Sequence, residues 1–153
     1  MASPSSQRSE AIDLVAGNLL ARASRLIRLM MRSGAHELSR TEAGVLSTLL
    51  DGPHRITDLA ASETLAQPTV TQLVDKLEGR GLVARGRADD DGRVVLVEIT
   101  ALGRERLEEL RAEIRARMRE ALADLPDAEL TELAHAAETL GSLIEKLQPD
   151  RDA

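Results

Sequence analysis

The sequence predicts a mainly α-helical protein with one small β-hairpin. Three observations lead to this fold class: a long amphipathic segment near each chain end, shorter helical segments between them, and a change to a strand-like pattern after residue 81. Length and composition agree, because 153 residues with 42% hydrophobic and 30% charged residues suit one small globular unit with helical extensions.

Composition excludes several kinds of chemistry. The chain has no Cys, so it forms no disulfide, thiolate nucleophile or iron–sulfur ligand set. It also has no Phe, Tyr or Trp, so we expect an aliphatic core and ligand binding without aromatic stacking. No apolar run reaches the length of a membrane span, and the first residues lack the apolar stretch of a secretory signal. We therefore expect a cytoplasmic protein that contacts no membrane.

The first two helices are predicted from periodicity and capping signals. Apolar residues at steps of three and four predict a helix over 9–32. Ser39 stands three residues before Glu42, which is the spacing of a capping box and predicts a second helix over 40–50. The Gly-Pro pair that follows Asp51 ends this helix.

The middle of the chain is predicted to hold two further helices. Thr57 is expected to cap a short helix that runs through Ala61. The next helix is expected to run from Gln67 to Glu78, with Pro68 in its first turn.

The hairpin and two long helices complete the chain. Strands are expected over 82–87 and 94–99, joined by a polar tip at 88–92. Apolar residues at helical spacing follow Thr100, and a second such series follows Asp127. This order of elements predicts three parts: residues 1–35 as one dimerisation helix, 36–100 as a compact central domain, and 101–153 as the remaining dimerisation helices.

The long end helices predict a homodimer. A central unit of roughly 60 residues is too small to cover the apolar stripes of all three helices, so a second copy of the chain is the expected partner. The residues expected at this dimer interface are Val15, Leu19, Leu107, Leu110, Ile114, Leu140, Ile144 and Leu147.

Two short helices joined by a tight turn at 62–64 form the arrangement that presents a second helix to the DNA major groove. Its apolar residues face inward, which leaves short polar side chains available for base edges and phosphates. An ordinary helical hairpin with a solvated polar face is the alternative. The candidate DNA-binding residues on the second helix are Gln67, Pro68, Thr69, Thr71, Gln72 and Lys76.

The hairpin adds basic residues at the place where a wing would contact a minor groove. Arg85 and Arg87 lie on the first strand and Arg93 near the start of the second. Asp91, two residues before Arg93, is suited to fix that guanidinium by a bidentate contact. The alternative is that Asp91 and its two acidic neighbours only solubilise a turn.

The combined pattern is similar to a known family. Over about 39–103 the chain resembles the MarR family of winged helix-turn-helix regulators. The residues that carry the likeness are Leu59-Ala60, the run from Gln67 through Glu78, Gly81-Leu82-Val83, the run Asp91-Gly92-Arg93-Val94-Val95-Leu96-Val97, Ile99-Thr100 and Gly103.

The resemblance implies a homodimer whose terminal helices pair, whose recognition helices enter successive major grooves of a palindrome, and whose wings straddle the minor groove. It implies that the dimer represses neighbouring genes and releases DNA when a small aromatic or phenolic effector binds between the two domains. It assigns Arg93 and Asp91 to the wing motif, and Thr69, Thr71 and Gln72 to the recognition helix.

Three positions depart from the family pattern. Gln72 stands where the family often has Arg, and Gln pairs more naturally with adenine than with guanine. Thr64 stands where Gly is common, and because a β-branched residue resists a left-handed backbone we expect this turn to differ. Ala66 replaces a frequent capping Ser, so one stabilising hydrogen bond is expected to be absent.

The remaining polar residues suggest no second kind of site. His36, His54 and His135 lie on separate elements, so no metal or cofactor is expected. No nucleophile–base pair or phosphate-binding glycine loop appears, so we do not expect an enzyme. The predicted function is a sequence-specific transcriptional regulator that binds double-stranded DNA. The alternative is a winged-helix protein-interaction module without DNA binding, which the net charge of −6 would suit.

Overall fold

The computed structural model describes residues 4–31, 38–88 and 91–147 of the chain. Its elements in chain order are helix α1 (Pro4–Met31), helix α2 (Arg40–Thr48) with a 3₁₀ turn (Leu49–Asp51), strand β1 (His54–Arg55), helices α3 (Ile56–Ser62) and α4 (Gln67–Gly79), strands β2 (Val83–Ala88) and β3 (Asp91–Ile99), and helices α5 (Ala101–Leu122) and α6 (Asp127–Leu147). The predicted fold class, mainly α with a small β-hairpin, is confirmed.

The described residues form two compact units, with the boundary between Ile114 and Arg115. The boundary falls within α5, so the first unit contains α1 to β3 and the first part of α5. The second unit contains the rest of α5 and all of α6. None of the residues of α6 is fully buried.

Helix α2 begins with the predicted capping box. The Ser39 backbone N–H donates to Glu42 Oε2 at 2.6 Å, and the Glu42 backbone N–H donates to Ser39 Oγ at 3.2 Å. Both bonds satisfy amides that the first turn of a helix leaves without a partner. The regular helix stops at Thr48, two residues before the predicted end, and tightens into the 3₁₀ turn.

The prediction that Thr57 caps α3 is wrong. The backbone of Arg55 is extended and serves as the N-cap, and its N–H donates to Asp58 Oδ2 at 3.4 Å. The reason is strand β1, in which Arg55 pairs with Leu96, so the chain is still extended one residue before the helix starts. A two-residue strand carries no alternating pattern, and sequence reasoning did not detect it.

The three strands form an antiparallel sheet in the order β1-β3-β2. Val83 lies opposite Ile99 and Arg85 opposite Val97, which places these four side chains on one face of the sheet. Val83, Val97 and Ile99 are all buried there. Ala88 already pairs with Asp91, so the hairpin tip is shorter than predicted, and residues 89 and 90 lie outside the described part.

The core of the first unit is entirely aliphatic, as the composition requires. Leu107 and Leu110 of α5 belong to this core, with only 2% and 5% of their surface exposed. Both were expected at the dimer interface. Their apolar surface is instead covered within their own chain, so little of it remains exposed to contact a second copy. The other buried members of the core are Leu38, Val45, Leu46, Leu49, Leu59, Ala60, Val70, Val74, Leu77, Leu82, Val83, Val97 and Ile99.

A hydroxyl group joins the turn before β2 to the start of α5. Thr100 Oγ1 donates to the carbonyl of Gly81 at 2.7 Å and accepts from the N–H of Gly103 at 3.0 Å. A Cβ atom on Gly103 would lie 2.1 Å from the carbonyl oxygen of Leu82. Only glycine permits this approach of α5 to the end of α4 and the start of β2.

Candidate nucleic-acid interface

The turn between α3 and α4 is a left-handed helix terminus. The N–H of Thr64 donates to the carbonyl of Ala61 at 3.2 Å, and the N–H of Leu65 donates to that of Ala60 at 3.0 Å. These two bonds are the pair of a Schellman motif. Thr64 has φ = 55°, so the expectation that its β-branched side chain changes the turn is wrong. The hydrogen bonds and the packing of Leu65 on the core impose the conformation despite its local cost.

Helix α4 has one buried and one polar face. Val70, Val74 and Leu77 are fully buried on the inner side. Ala66 at the N-cap makes no side-chain hydrogen bond, as predicted, and Pro68 occupies the first turn. The predicted DNA-binding residues that the structure leaves exposed on this helix are Gln67, Pro68, Thr69, Gln72 and Lys76.

Thr71 is placed differently from its neighbours. It is half-buried, and its Oγ1 donates to the backbone carbonyl of Gln67 at 3.0 Å. The hydroxyl proton is therefore used within the helix, and only the acceptor capacity of the oxygen is left for a base or phosphate.

A buried carboxylate lies beside the helix on one flank. Glu42 is 1% exposed, and its Oε1 accepts from Lys76 Nζ at 2.9 Å and from Arg80 Nη1 at 3.1 Å. Burial by itself raises the pKa of Glu42, but hydrogen bonds from the Ser39 N–H and from Lys76 outweigh it and leave the pKa below its usual value. Sequence reasoning assigned Glu42 only to the capping box. The available signal was the four-residue spacing of Lys76 and Arg80, which puts two cations on one side of α4.

Two carboxylates on the opposite flank of α4 bind Arg85, which the sequence predicted to contact DNA. Arg85 of β2 donates through Nη1 to Glu78 and through Nη2 to Asp75, both on α4. The hydrogen bond with Asp75 is the main reason that the pKa of Arg85 lies above its usual value. The Arg85 side chain is 27% exposed. The structure thus places Arg85 against α4.

The wing residues are only partly described. Arg87 lies on β2 opposite Val95, and Asp91 and Arg93 lie on β3. Their side chains lie outside the described part of the structure, so their contacts stay predictions. His36 also lies outside it.

Across residues 4–31, 38–88 and 91–147, no cluster of three or more His, Asp or Glu side chains could hold a metal ion. His54 Nδ1 instead lies 2.8 Å from the carbonyl of Gly52 in a local turn. Within the same ranges, no helix is both long and apolar enough to span a bilayer.

Helices α3 and α4 with their turn, followed by the β2–β3 hairpin, define a winged helix-turn-helix protein. Residues 38–95 match the model of the MarR family. The chain is 37% identical over 68 residues to the uncharacterized HTH-type transcriptional regulator YdgJ of Bacillus subtilis, a match that covers 44% of this chain and 42% of that protein. It therefore spans less than half the length of this curated relative.

Solved structures extend the likeness beyond that segment. YusO of Bacillus subtilis superposes with a TM-score of 0.66 at 25% identity, over 92% of this chain and 99% of that one. BpsR of Bordetella bronchiseptica superposes with a TM-score of 0.58 at 26% identity, over 82% of this chain and 98% of that one. Residues 38–95 thus match the MarR family, and the chain shares its fold with these two solved structures over most of their length.

Proposed function

We propose that this chain is a sequence-specific, double-stranded DNA-binding regulator that acts in the cytoplasm as a homodimer and represses transcription from a palindromic operator. The observation that carries the proposal is the outer face of α4. Thr69 and Gln72 are exposed and, three residues apart, are neighbours on one face of the helix, and Gln67 is exposed in its first turn. The opposite face is buried in the core through Val70, Val74 and Leu77. A rigid helix with exposed hydrogen-bonding groups is what base recognition in a major groove requires.

The residues on α4 divide into two roles in this proposal. Gln72 is suited to adenine, because its amide both donates and accepts. Lys76 donates one N–H to Glu42, but 64% of its side chain is exposed, so its other two N–H groups are suited to phosphate. Thr69 and the acceptor oxygen of Thr71 supply shorter contacts beside them.

In the wing, Arg93 enters a minor groove and Asp91 orients it, while Arg87 adds positive charge nearby. A narrow A·T minor groove concentrates negative potential, so this arginine would favour A·T flanks.

Dimer formation is supported by apolar surface that each unit leaves uncovered. In α1, Leu14, Val15 and Leu20 are 67%, 56% and 76% exposed. A groove of about 280 Å³ on this helix is lined by Leu14, Val15, Asn18, Leu19 and Arg22. Burial of such surface by a second copy is favourable at roughly 25 cal/mol per Å². In the second unit the uncovered apolar residues include Leu133, Leu143, Ile144 and Leu147.

A small aromatic or phenolic effector is part of the proposal. The structure of BpsR concerns regulation of its DNA binding by 6-hydroxynicotinic acid, which is a property of that protein. Because this chain has no aromatic residues, an aromatic acid would be held by aliphatic burial and an Arg or His partner. We expect weak binding, with a Kd in the millimolar range.

Selection of bound duplexes from a random pool tests the proposal. We expect enrichment of a palindrome whose half-site centres lie about 10 base pairs apart, bound by two chains in sedimentation. A protein-interaction module is the competing function, favoured by the net charge of −6 and by the exposed Asp75 on α4. A pool that shows no enrichment, from a chain that sediments as a monomer at micromolar concentration, would overturn DNA recognition in favour of that module.

A further inference from the structure

The pairing of β2 with β3 determines the face of the sheet from which the Arg85 side chain projects. Arg85 lies opposite Val97 across the β2–β3 ladder, and Val97 is fully buried. Residues directly opposite in an antiparallel pair share one face. The arginine stem therefore starts on the face that packs on the domain interior, and the guanidinium emerges at α4.

Both ends of the guanidinium are occupied there. Nη1 donates to Glu78 and Nη2 to Asp75, so one planar group bridges two carboxylates three residues apart on α4. A lysine has no such fork and cannot reproduce this geometry.

The charges explain why the bridge matters for a helix that approaches DNA. Asp75 and Glu78 are 58% and 38% exposed on the recognition helix. Carboxylates at this position repel phosphates unless a cation neutralises them. Arg85 offsets part of that charge and at the same time ties strand β2 of the wing to α4.

Resting on the proposed DNA-binding function, we propose that Arg85 is a positioning residue: it fixes the wing strand against the recognition helix through Asp75 and Glu78, and it does not itself bind phosphate. The sequence alone grouped Arg85 with the DNA contacts, because charge pattern does not show which cations already have anionic partners.

A double-mutant cycle on DNA affinity tests this assignment. The probe is the duplex selected by the wild-type chain, and the variants are Arg85→Gln, Asp75→Asn/Glu78→Gln and the triple variant. We expect Arg85→Gln to weaken binding roughly five- to tenfold in the wild-type background and less than about twofold once both acids are removed. A phosphate contact would instead give at least the same loss in both backgrounds.

Two further measurements separate positioning from a general structural effect. Arg85→Lys keeps the charge but loses the fork, so we expect it to bind several-fold more weakly than wild type, whereas a phosphate contact would tolerate lysine. The slope of log affinity against log salt is expected to be the same in Arg85→Lys as in wild type. It is also expected to be the same in the triple variant as in Asp75→Asn/Glu78→Gln. A slope reduced by about 0.9 on removing Arg85 from that background would show a lost phosphate contact and overturn the assignment.

Arg104→Gln, at an exposed position on α5, removes the same charge and is the matched control. We expect it to leave affinity within about twofold of wild type. If thermal melting shows that Arg85→Gln does not fold, the affinities of the double and triple variants still show whether Arg85 contacts phosphate. A wild-type chain that selects no duplex defeats the proposed function and this assignment together, whereas an additive cycle on a bound duplex defeats this assignment alone.

Discussion

Lys76 Nζ lies 2.9 Å from Oε1 of Glu42, so an exposed cation of the recognition helix is anchored on a carboxylate that is 1% exposed. The same oxygen accepts from Arg80 Nη1, and the other oxygen accepts from the Ser39 backbone N–H. One carboxylate thus joins the start of α2 to the outer edge of α4. The orientation of α4 is therefore coupled to the start of α2 through Glu42.

Replacing Glu42 is expected to destabilise the first unit. Glu42→Gln removes the charge that two cations face while keeping nearly the same volume. Loss of one partner of a buried ion pair costs about 3–5 kcal/mol, and the exposure of Lys76 reduces this to about 1–3 kcal/mol. Chemical denaturation measures the change. The exposed Glu108→Gln on α5 is the control, expected within about 0.5 kcal/mol of wild type; equal stability of the two variants would contradict the role of Glu42.

The same carboxylate predicts an acid-sensitive part of the stability. The pKa of Glu42 is lowered from its usual 4.5 in the folded chain, so its contribution is fully present above about pH 4.5 and is lost as pH falls through the folded value. The difference in melting temperature between wild type and Glu42→Gln is therefore expected to shrink as the pH falls below about 4.5. A difference that stays constant as the pH is lowered would show that ionisation of Glu42 does not stabilise the fold.

Thr64 is expected to be replaceable by glycine with a gain in stability. Its φ of 55° is unfavourable for a β-branched residue by about 1–2 kcal/mol, and glycine avoids that cost. The greater freedom of glycine in the unfolded chain opposes the gain by about 0.4–1 kcal/mol. Thr64→Gly should therefore raise the free energy of unfolding by up to about 1.6 kcal/mol. Thr64→Ala keeps most of the strain and serves as the control; a glycine variant no more stable than the alanine variant would refute the prediction.

Gly103 is expected to tolerate no side chain. A Cβ there would lie 2.1 Å from the Leu82 carbonyl oxygen, which is backbone and cannot rotate away. Gly103→Ala should destabilise the chain by about 2–4 kcal/mol through the forced displacement of α5. Gly79 has no atom within 4 Å of the corresponding position, so Gly79→Ala should be neutral or slightly stabilising. Thermal unfolding of both variants decides, and similar melting temperatures would mean that α5 adjusts freely.

Element order and the buried face of α4 could be predicted from the sequence because both follow from apolar periodicity and from local capping signals. Strand β1 could not, since two residues carry no period, and the left-handed Thr64 could not, since tertiary packing of Leu65 overrides its local preference.

The exposure of Gln72 and Lys76 could be predicted from the sequence, because the helical period itself orients them, and their contacts with DNA stay predictions. Arg85 illustrates the limit of sequence reasoning, because its partners Asp75 and Glu78 lie on another element. Leu107 and Leu110 show the same limit for the dimer interface. An apolar stripe indicates that a helix face is covered, but not by which surface.

Direct measurement of base recognition by α4 tests the central claim. Affinity is measured for the selected palindrome and for a duplex changed at one base pair in each half-site, with wild type and Gln72→Ala, over a range of salt. We expect wild type to lose about 1–3 kcal/mol per changed base pair and Gln72→Ala to lose this discrimination at the affected position. We also expect log affinity to fall linearly with log salt. Equal affinity of both proteins for both duplexes, independent of salt, would contradict recognition of DNA by this helix.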